Sequence, residues 1–154
     1  MTPADAGIAC WHMRNGYTLI ESVLALTLLG LVLLIAVPLT HGWRDRAAVH
    51  RASLELAAFY HTARHAAALR ATRVAITFGA DSLTAVYEGV TDSTFAVRSG
   101  PGRFGVQLTA SDSVVRIAPS GLGFGAANTK LLLRRGAAAE SLTTSRLGRL
   151  RRWP

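Results

Sequence analysis

Cysteine is almost missing from this chain of 154 residues: Cys10 stands alone, so no disulfide can close within one copy. That scarcity neither supports nor excludes an oxidising compartment, because a head with enough core can do without bridges. Lysine is equally rare. Lys130 is the only one, and arginine supplies the rest of 17 basic residues, against 9 acidic ones. The acids are scattered singly, which removes the paired carboxylates that hydrolytic chemistry needs. Neither glycine nor proline occurs from residue 43 to residue 78, so nothing there interrupts a helix or punctuates a turn.

The other motifs of chemistry are equally thin. His61 and His65 stand four apart in "HTARH", a spacing that can share a helical face, but the glutamate of a zincin and a third ligand are both absent. "GLGFGA" from Gly121 imitates a dinucleotide loop without a βαβ unit around it, and Ser120 lacks a nucleophile elbow. "GIAC", which ends at Cys10, has no hydrophobic region ahead of it, which argues against a lipoprotein cleavage site. The sequence therefore predicts no enzyme, no metal and no cofactor. The formal charge of +8 favours contact with anions such as lipid head groups, nucleic acid or an acidic protein face, and does not choose among them.

What the chain has in quantity is one apolar run. "VLALTLLGLVLLIAVPL" from Val23 to Leu39 carries no charge, and Thr27 is its only polar side chain. With the residues ahead of it the segment 17–39, as a helix rising 1.5 Å per residue, extends about 34 Å, enough for a hydrocarbon core of about 30 Å. Tyr17 and Trp43 flank it, where amphipathic aromatics favour the two interfaces. Ahead of it, residues 1–16 are polar and without period, and read as a leader.

After Trp43 the pattern turns amphipathic. Ala52, Leu56, Phe59, Ala63 and Ala67 recur at spacings of three and four, while Arg44, Arg51, Glu55, Arg64 and Arg70 fall on other faces. One nearly continuous helix is expected from about Tyr17 to about Thr72, bent at Pro38, which lacks a backbone donor and crowds the preceding turn. Beyond Arg73 the period becomes two. "VAITF", "LTAVYE", "TFAVR", "FGVQLT", "VVRIA", "KLLLRR" and a last stretch around "LGRLR" are short runs between turn residues, with no room for crossover helices. The expected fold is α+β: a long amino-terminal helix, transmembrane in its first half, packed against a small antiparallel β-sheet head. The divisions are 1–16 leader, 17–40 membrane segment, 41–73 amphipathic helix and 74–154 head with a basic carboxy-terminal tail.

A polar leader ending in Gly16, the aromatic Tyr17, "TLIE" and then about twenty apolar residues resemble the class III signal of type IV prepilins and type II secretion pseudopilins. Gly30 and Pro38 also fall where such helices commonly have glycine and proline. The resemblance implies cleavage between Gly16 and Tyr17 by a membrane aspartyl peptidase, and N-methylation of Tyr17 by the same peptidase/methyltransferase. It further implies that Glu21 pairs with the new α-amine of a neighbouring subunit during filament assembly. An acid inside a membrane segment is costly enough to require a partner or a function. Two departures stand out. Only Arg14 gives the leader fixed positive charge, whereas Arg44, Arg46 and Arg51 follow the apolar run, opposite to the positive-inside count. Residues 1–12 also contain a tryptophan and a cysteine, and translation from Met13 would leave the short basic leader "MRNG".

The head resembles the GspH/FimT branch, with its all-β head, "RIAPSGLGF" before the last strands and "TTSRLGRLR" near the end. Membership implies a minor subunit of a type II secretion pseudopilus, made at the bacterial inner membrane with its amino terminus cytoplasmic and its head periplasmic. The partners implied are the prepilin peptidase, other pilins or pseudopilins, and inner-membrane lipid. The alternative is a minor type IV pilin of the FimT type whose GRxR tail binds DNA through Arg146, Arg149, Arg151 and Arg152.

Overall fold

The computed structural model describes residues 18–153 except 90–92 and 126–127, and within the first helix the side chains of residues 35–40 lie outside the description. Gly16 and Tyr17, the expected cleavage pair, also fall outside it, as do the side chain of Pro38 and the bend expected there. The chain divides into two compact units, Met1–Pro38 and Leu39–Pro154.

In the first unit the helix α1, Leu19–Leu69, begins. Its start is fixed by "TLIE" acting as a cap: the Glu21 backbone N–H donates to Thr18 Oγ1 at 3.3 Å, satisfying an amide that has no partner inside the helix. Large apolar side chains from Leu19 to Leu34 are all more than half exposed. Among the described residues no helical stretch is long and apolar enough to cross a membrane. Residues 19–34, where side chains are described, rise only about 24 Å, so the expected span 17–40 runs beyond them at both ends.

In the second unit α1 lays one face on the head. Ala52, Leu56, Phe59, Ala63 and Ala67, the five expected core positions, are all buried, joined by Val49 and Tyr60. The helix ends in a Schellman turn at Ala71 rather than at a glycine. Thr72 N–H donates to Ala67 O at 3.2 Å and Ala71 N–H to Ala68 O at 3.3 Å, while Ala71 takes φ +49°. This left-handed alanine turns the chain directly into the first strand.

Nine strands follow among the described residues: β1 Arg73–Phe78, β2 Ser82–Glu88, β3 Ser93–Ser99, β4 Gln107–Ala110, β5 Val114–Ile117, β6 Gly123–Phe124, β7 Lys130–Arg135, β8 Ala138–Thr144 and β9 Leu150–Trp153. They form two antiparallel sheets rather than one, ordered β3-β2-β1-β5-β6 and β4-β7-β8-β9. Alternation places Val74, Ile76 and Phe78 of β1, and Leu131 and Leu133 of β7, in the core beneath the helix. The expected run "FGVQLT" becomes a strand only at Gln107, because Phe104 closes a 3-10 turn, Pro101–Phe104, and Gly105 caps it at φ +66°. Among the strands, β6 and β8 correspond to no sequence run. β8, "AAESLTT", is recruited by β7 across the two-residue turn at Gly136 and Ala137, with Arg135 opposite Ala138 and Leu131 opposite Leu142.

Candidate functional site

Two regions carry the expected site residues. At the amino-terminal one, Glu21 lies exposed in the first turn of α1, three residues beyond the capping Thr18. A carboxylate there is favoured by the partial positive charge of the helix start, so "TLIE" both begins the helix and seats an acid at its end. The sequence offered the acid, but its role beside a cap emerges only from the Thr18 hydrogen bond. Gly16 and Tyr17 cannot be placed against it, since they precede the described residues.

The carboxy-terminal region is built by a turn and a short strand. Ser145 N–H donates to Arg149 O at 2.9 Å, Gly148 N–H to Ser145 O at 2.9 Å, and Arg149 N–H to Ser145 Oγ at 3.3 Å, closing the turn between β8 and β9. The loop from Ala118 to Gly123 supports this turn: Gly123 N–H donates to Arg146 O at 2.8 Å, and Arg146 N–H bonds Asn128 Oδ1 at 3.1 Å. Arg64 on α1 reaches the same place, its Nε donating to Gly121 O at 3.0 Å. Gly148 takes φ +69°, and a Cβ there would collide with the Gly121 carbonyl. The glycine of "GRLR" is therefore fixed by a backbone-to-backbone approach.

The strand itself starts at Leu150, so Arg149 belongs to the turn, whereas Arg151 and Arg152 belong to β9. Arg151 and Trp153 share a face by alternation, and the Arg151 guanidinium lies 4.8 Å from the centre of the Trp153 ring. The indole Nε1 donates to Thr143 Oγ1 at 3.2 Å, holding the ring on β8. Arg146, Arg149, Arg151 and Arg152 are all exposed, and none forms a salt bridge among the described residues.

Register adds two charges that sequence reasoning missed. Lys130 sits opposite Thr143 and Thr143 opposite Arg151, so Lys130 and Arg151 lie two strands apart, about 9 to 10 Å by strand spacing. Arg134 follows on the same face of β7, while Leu131, Leu133 and Leu142 point into the core. The exposed face of the four-stranded sheet thus carries Lys130, Arg134 and Arg151 with the aromatic Trp153. The only available signal was the alternation within "KLLLRR", which becomes informative once its pairing partner is known.

The remaining candidates do not assemble into a site. His61 and His65 are exposed on α1, and among the described residues no three His, Cys, Asp or Glu gather as metal ligands. Gly121 and Gly125 take φ +76° and +69°, serving as turn glycines around the two-residue strand β6. Ser120 lies exposed in the turn before Gly121.

Residues 11–37 match the prokaryotic N-terminal methylation motif. Comparison with curated proteins gives no match. Among solved structures, the fold is similar to that of the type IV minor pilin FimU of Pseudomonas aeruginosa PAO1 in two crystal forms. One has a TM-score of 0.61 at 15% identity, covering 71% of this chain and 90% of FimU. The other has a TM-score of 0.58 at 14% identity, covering 68% and 92%. The chain thus joins a prokaryotic N-terminal methylation motif to a fold similar to that of a type IV minor pilin.

Proposed function

We propose that the protein is a minor subunit of a pilin-class filament, held in the inner membrane by residues 17–40 until it is drawn into the filament. The observation that carries this reading is the apolar surface of α1 from Leu19 to Leu34, exposed along its length behind a capped, acid-bearing start. Such a surface needs lipid or neighbouring helices around it. In this reading a peptidase cuts after Gly16, Tyr17 becomes the methylated amino terminus, and Glu21 meets the amine of an adjacent subunit, where low dielectric strengthens the pair. The head stands in the periplasm. The sequence points first to the pseudopilus of type II secretion. In cells carrying the peptidase, wild-type chain is expected as a shortened, methylated species that resists carbonate extraction from membranes. Gly16→Trp should remain full length and still resist extraction. Efficient cutting of that variant would reject the processing reading, and release of wild-type chain by carbonate would reject the membrane segment.

A second reading, a minor type IV pilin that captures DNA, is favoured by the exposed arginines of the tail and by the register that sets Arg151 on one sheet face with Lys130 and Arg134. Cations spaced along one face suit the phosphates of nucleic acid without reading bases. Trp153 offers a single aromatic surface, already covered in part by Arg151, so duplex backbone suits this face better than a stacked single strand.

A further inference from the structure

Arg44, Arg46 and Arg51 follow the apolar run on the side where positive charge is disfavoured, and neither filament assembly nor the tail accounts for them. The structure places two of them in a groove. Arg44 and Arg51, seven residues apart on α1, lie on one helical face about 10 Å apart along the axis. Across from them stand Arg103, from the 3-10 turn, and Arg135, at the end of β7, around a groove of about 600 Å³. Ala47 and Ala48 keep its helical wall low between the two guanidinium groups.

The two far arginines are already held. Arg135 Nε pairs with Asp45 Oδ1 at 3.0 Å, and its Nη1 donates to the Phe104 carbonyl. Arg103 pairs with Glu55 and lies 4.5 Å over the Phe104 ring. Both are thereby oriented before any ligand arrives. Arg44 and Arg51 are exposed and form no salt bridge among the described residues. Four guanidinium groups thus face two carboxylates, and the excess positive charge is concentrated in one concave place. Planar forks of this kind suit oxyanions, above all phosphate.

Position selects the source of the phosphate. The apolar run ends at Leu39, and Arg44 follows about 7 to 8 Å further along the helix, within reach of a head-group layer about 5 to 8 Å thick. Trp43, 75% exposed beside it, marks the interface. We infer that the groove bounded by Arg44, Arg51, Arg103 and Arg135 binds the head of an anionic phospholipid in the leaflet where the membrane segment emerges. The inference rests on reading residues 17–40 as that segment. Basic residues on this side of the membrane then mark a lipid site rather than a reversed topology.

The test uses the full chain in neutral detergent, titrated with dihexanoyl phosphatidylglycerol, dihexanoyl phosphatidylcholine or inorganic phosphate, with bound species counted by native mass spectrometry. Phosphatidylglycerol should bind more tightly than the other two. Arg44→Gln with Arg51→Gln should weaken it roughly twenty-five-fold, at about fivefold per arginine near a membrane surface. Arg44→Lys with Arg51→Lys should keep most of the binding, and Arg149→Gln with Arg152→Gln should leave it unchanged. An unchanged unfolding midpoint of the glutamine variant assigns the loss to the groove. Equal binding of the two lipids, equal binding of inorganic phosphate, or full binding by the glutamine variant overturns the inference. So does equal loss in the tail variant, or displacement of the lipid by an acidic segment of a second copy. These short lipids reach the groove whether or not residues 17–40 cross a bilayer, so failure here is distinct from failure in carbonate extraction.

Discussion

Gly148 and Gly121 bring their backbones so close that a Cβ on Gly148 would run into the Gly121 carbonyl oxygen and would lie 3.1 Å from the Arg64 Nε that donates to that oxygen. The turn that presents the tail is thereby locked to the loop before β6 and, through Arg64, to α1. Gly148→Ala adds this clash to the strain of φ +69°, and should cost about 2 to 3 kcal/mol of head stability. Chemical denaturation of the variant checks this. A midpoint equal to that of the wild type would show that the turn relaxes freely.

Glu21 has two expected contributions of different size. As an acid in the first turn of α1 it favours the helix by about 0.3 to 1 kcal/mol, a local effect that leaves the head untouched. As the proposed partner of a neighbour's amine it would control assembly. Glu21→Ala should therefore be cleaved normally and keep the wild-type unfolding midpoint, yet enter filaments poorly. Immunogold counting or sheared-filament blots would measure incorporation, and wild-type levels would remove the pairing role.

The tail makes a quantitative prediction about salt. If Arg149, Arg151 and Arg152 each neutralise one phosphate, changing all three to Gln should lower the slope of log affinity against log salt by about 2 to 3 for duplex DNA. Lys130→Gln with Arg134→Gln should weaken binding further through the sheet face, without altering cleavage of the precursor. Mobility shifts at two salt concentrations suffice. A wild-type chain that leaves DNA unshifted at low salt would end the DNA reading and leave the filament subunit standing.

Alkaline stability isolates one core residue. Burial pushes the Tyr60 phenol above its ordinary 10.0, and the nearby positive charge of Arg64 only partly opposes this. The unfolded chain releases that proton first, so the contribution of Tyr60 is intact below about pH 10 and lost as pH rises through the higher folded value. Tyr60→Phe should flatten the fall in denaturation midpoint between pH 9 and pH 11. An identical fall in both proteins would assign it to other groups.

Much of this molecule was readable from periodicity. The spacing of Ala52, Leu56, Phe59, Ala63 and Ala67 named the buried helical face because a core-facing stripe must repeat every 3.6 residues. The end of α1 fell within three residues of the expected Thr72, although by means of Ala71 rather than a glycine. β8 was not readable, since Ala, Glu and Ser carry little strand preference and the segment is strand only through its ladder to β7. Division into two sheets was equally hidden, because short antiparallel runs of similar length do not encode which neighbours they choose. At the candidate site, the arginines of "GRLR" were visible as charge. The alignment of Arg151 with Lys130 and Arg134 required the pairing of three strands, and the role of Gly148 required a loop 27 residues earlier.

The ladder between β7 and β8 has an evolutionary consequence. Side chains alternate along β7, so sliding it by one residue would carry Lys130, Leu132 and Arg134 inward and leave Leu131 and Leu133 facing water. The hydrophobic demand that holds this strand in place and the outward display of its cations are one constraint. Mutation can tune the strength of that electric face position by position, but cannot move it elsewhere on the head without unmaking the core behind it.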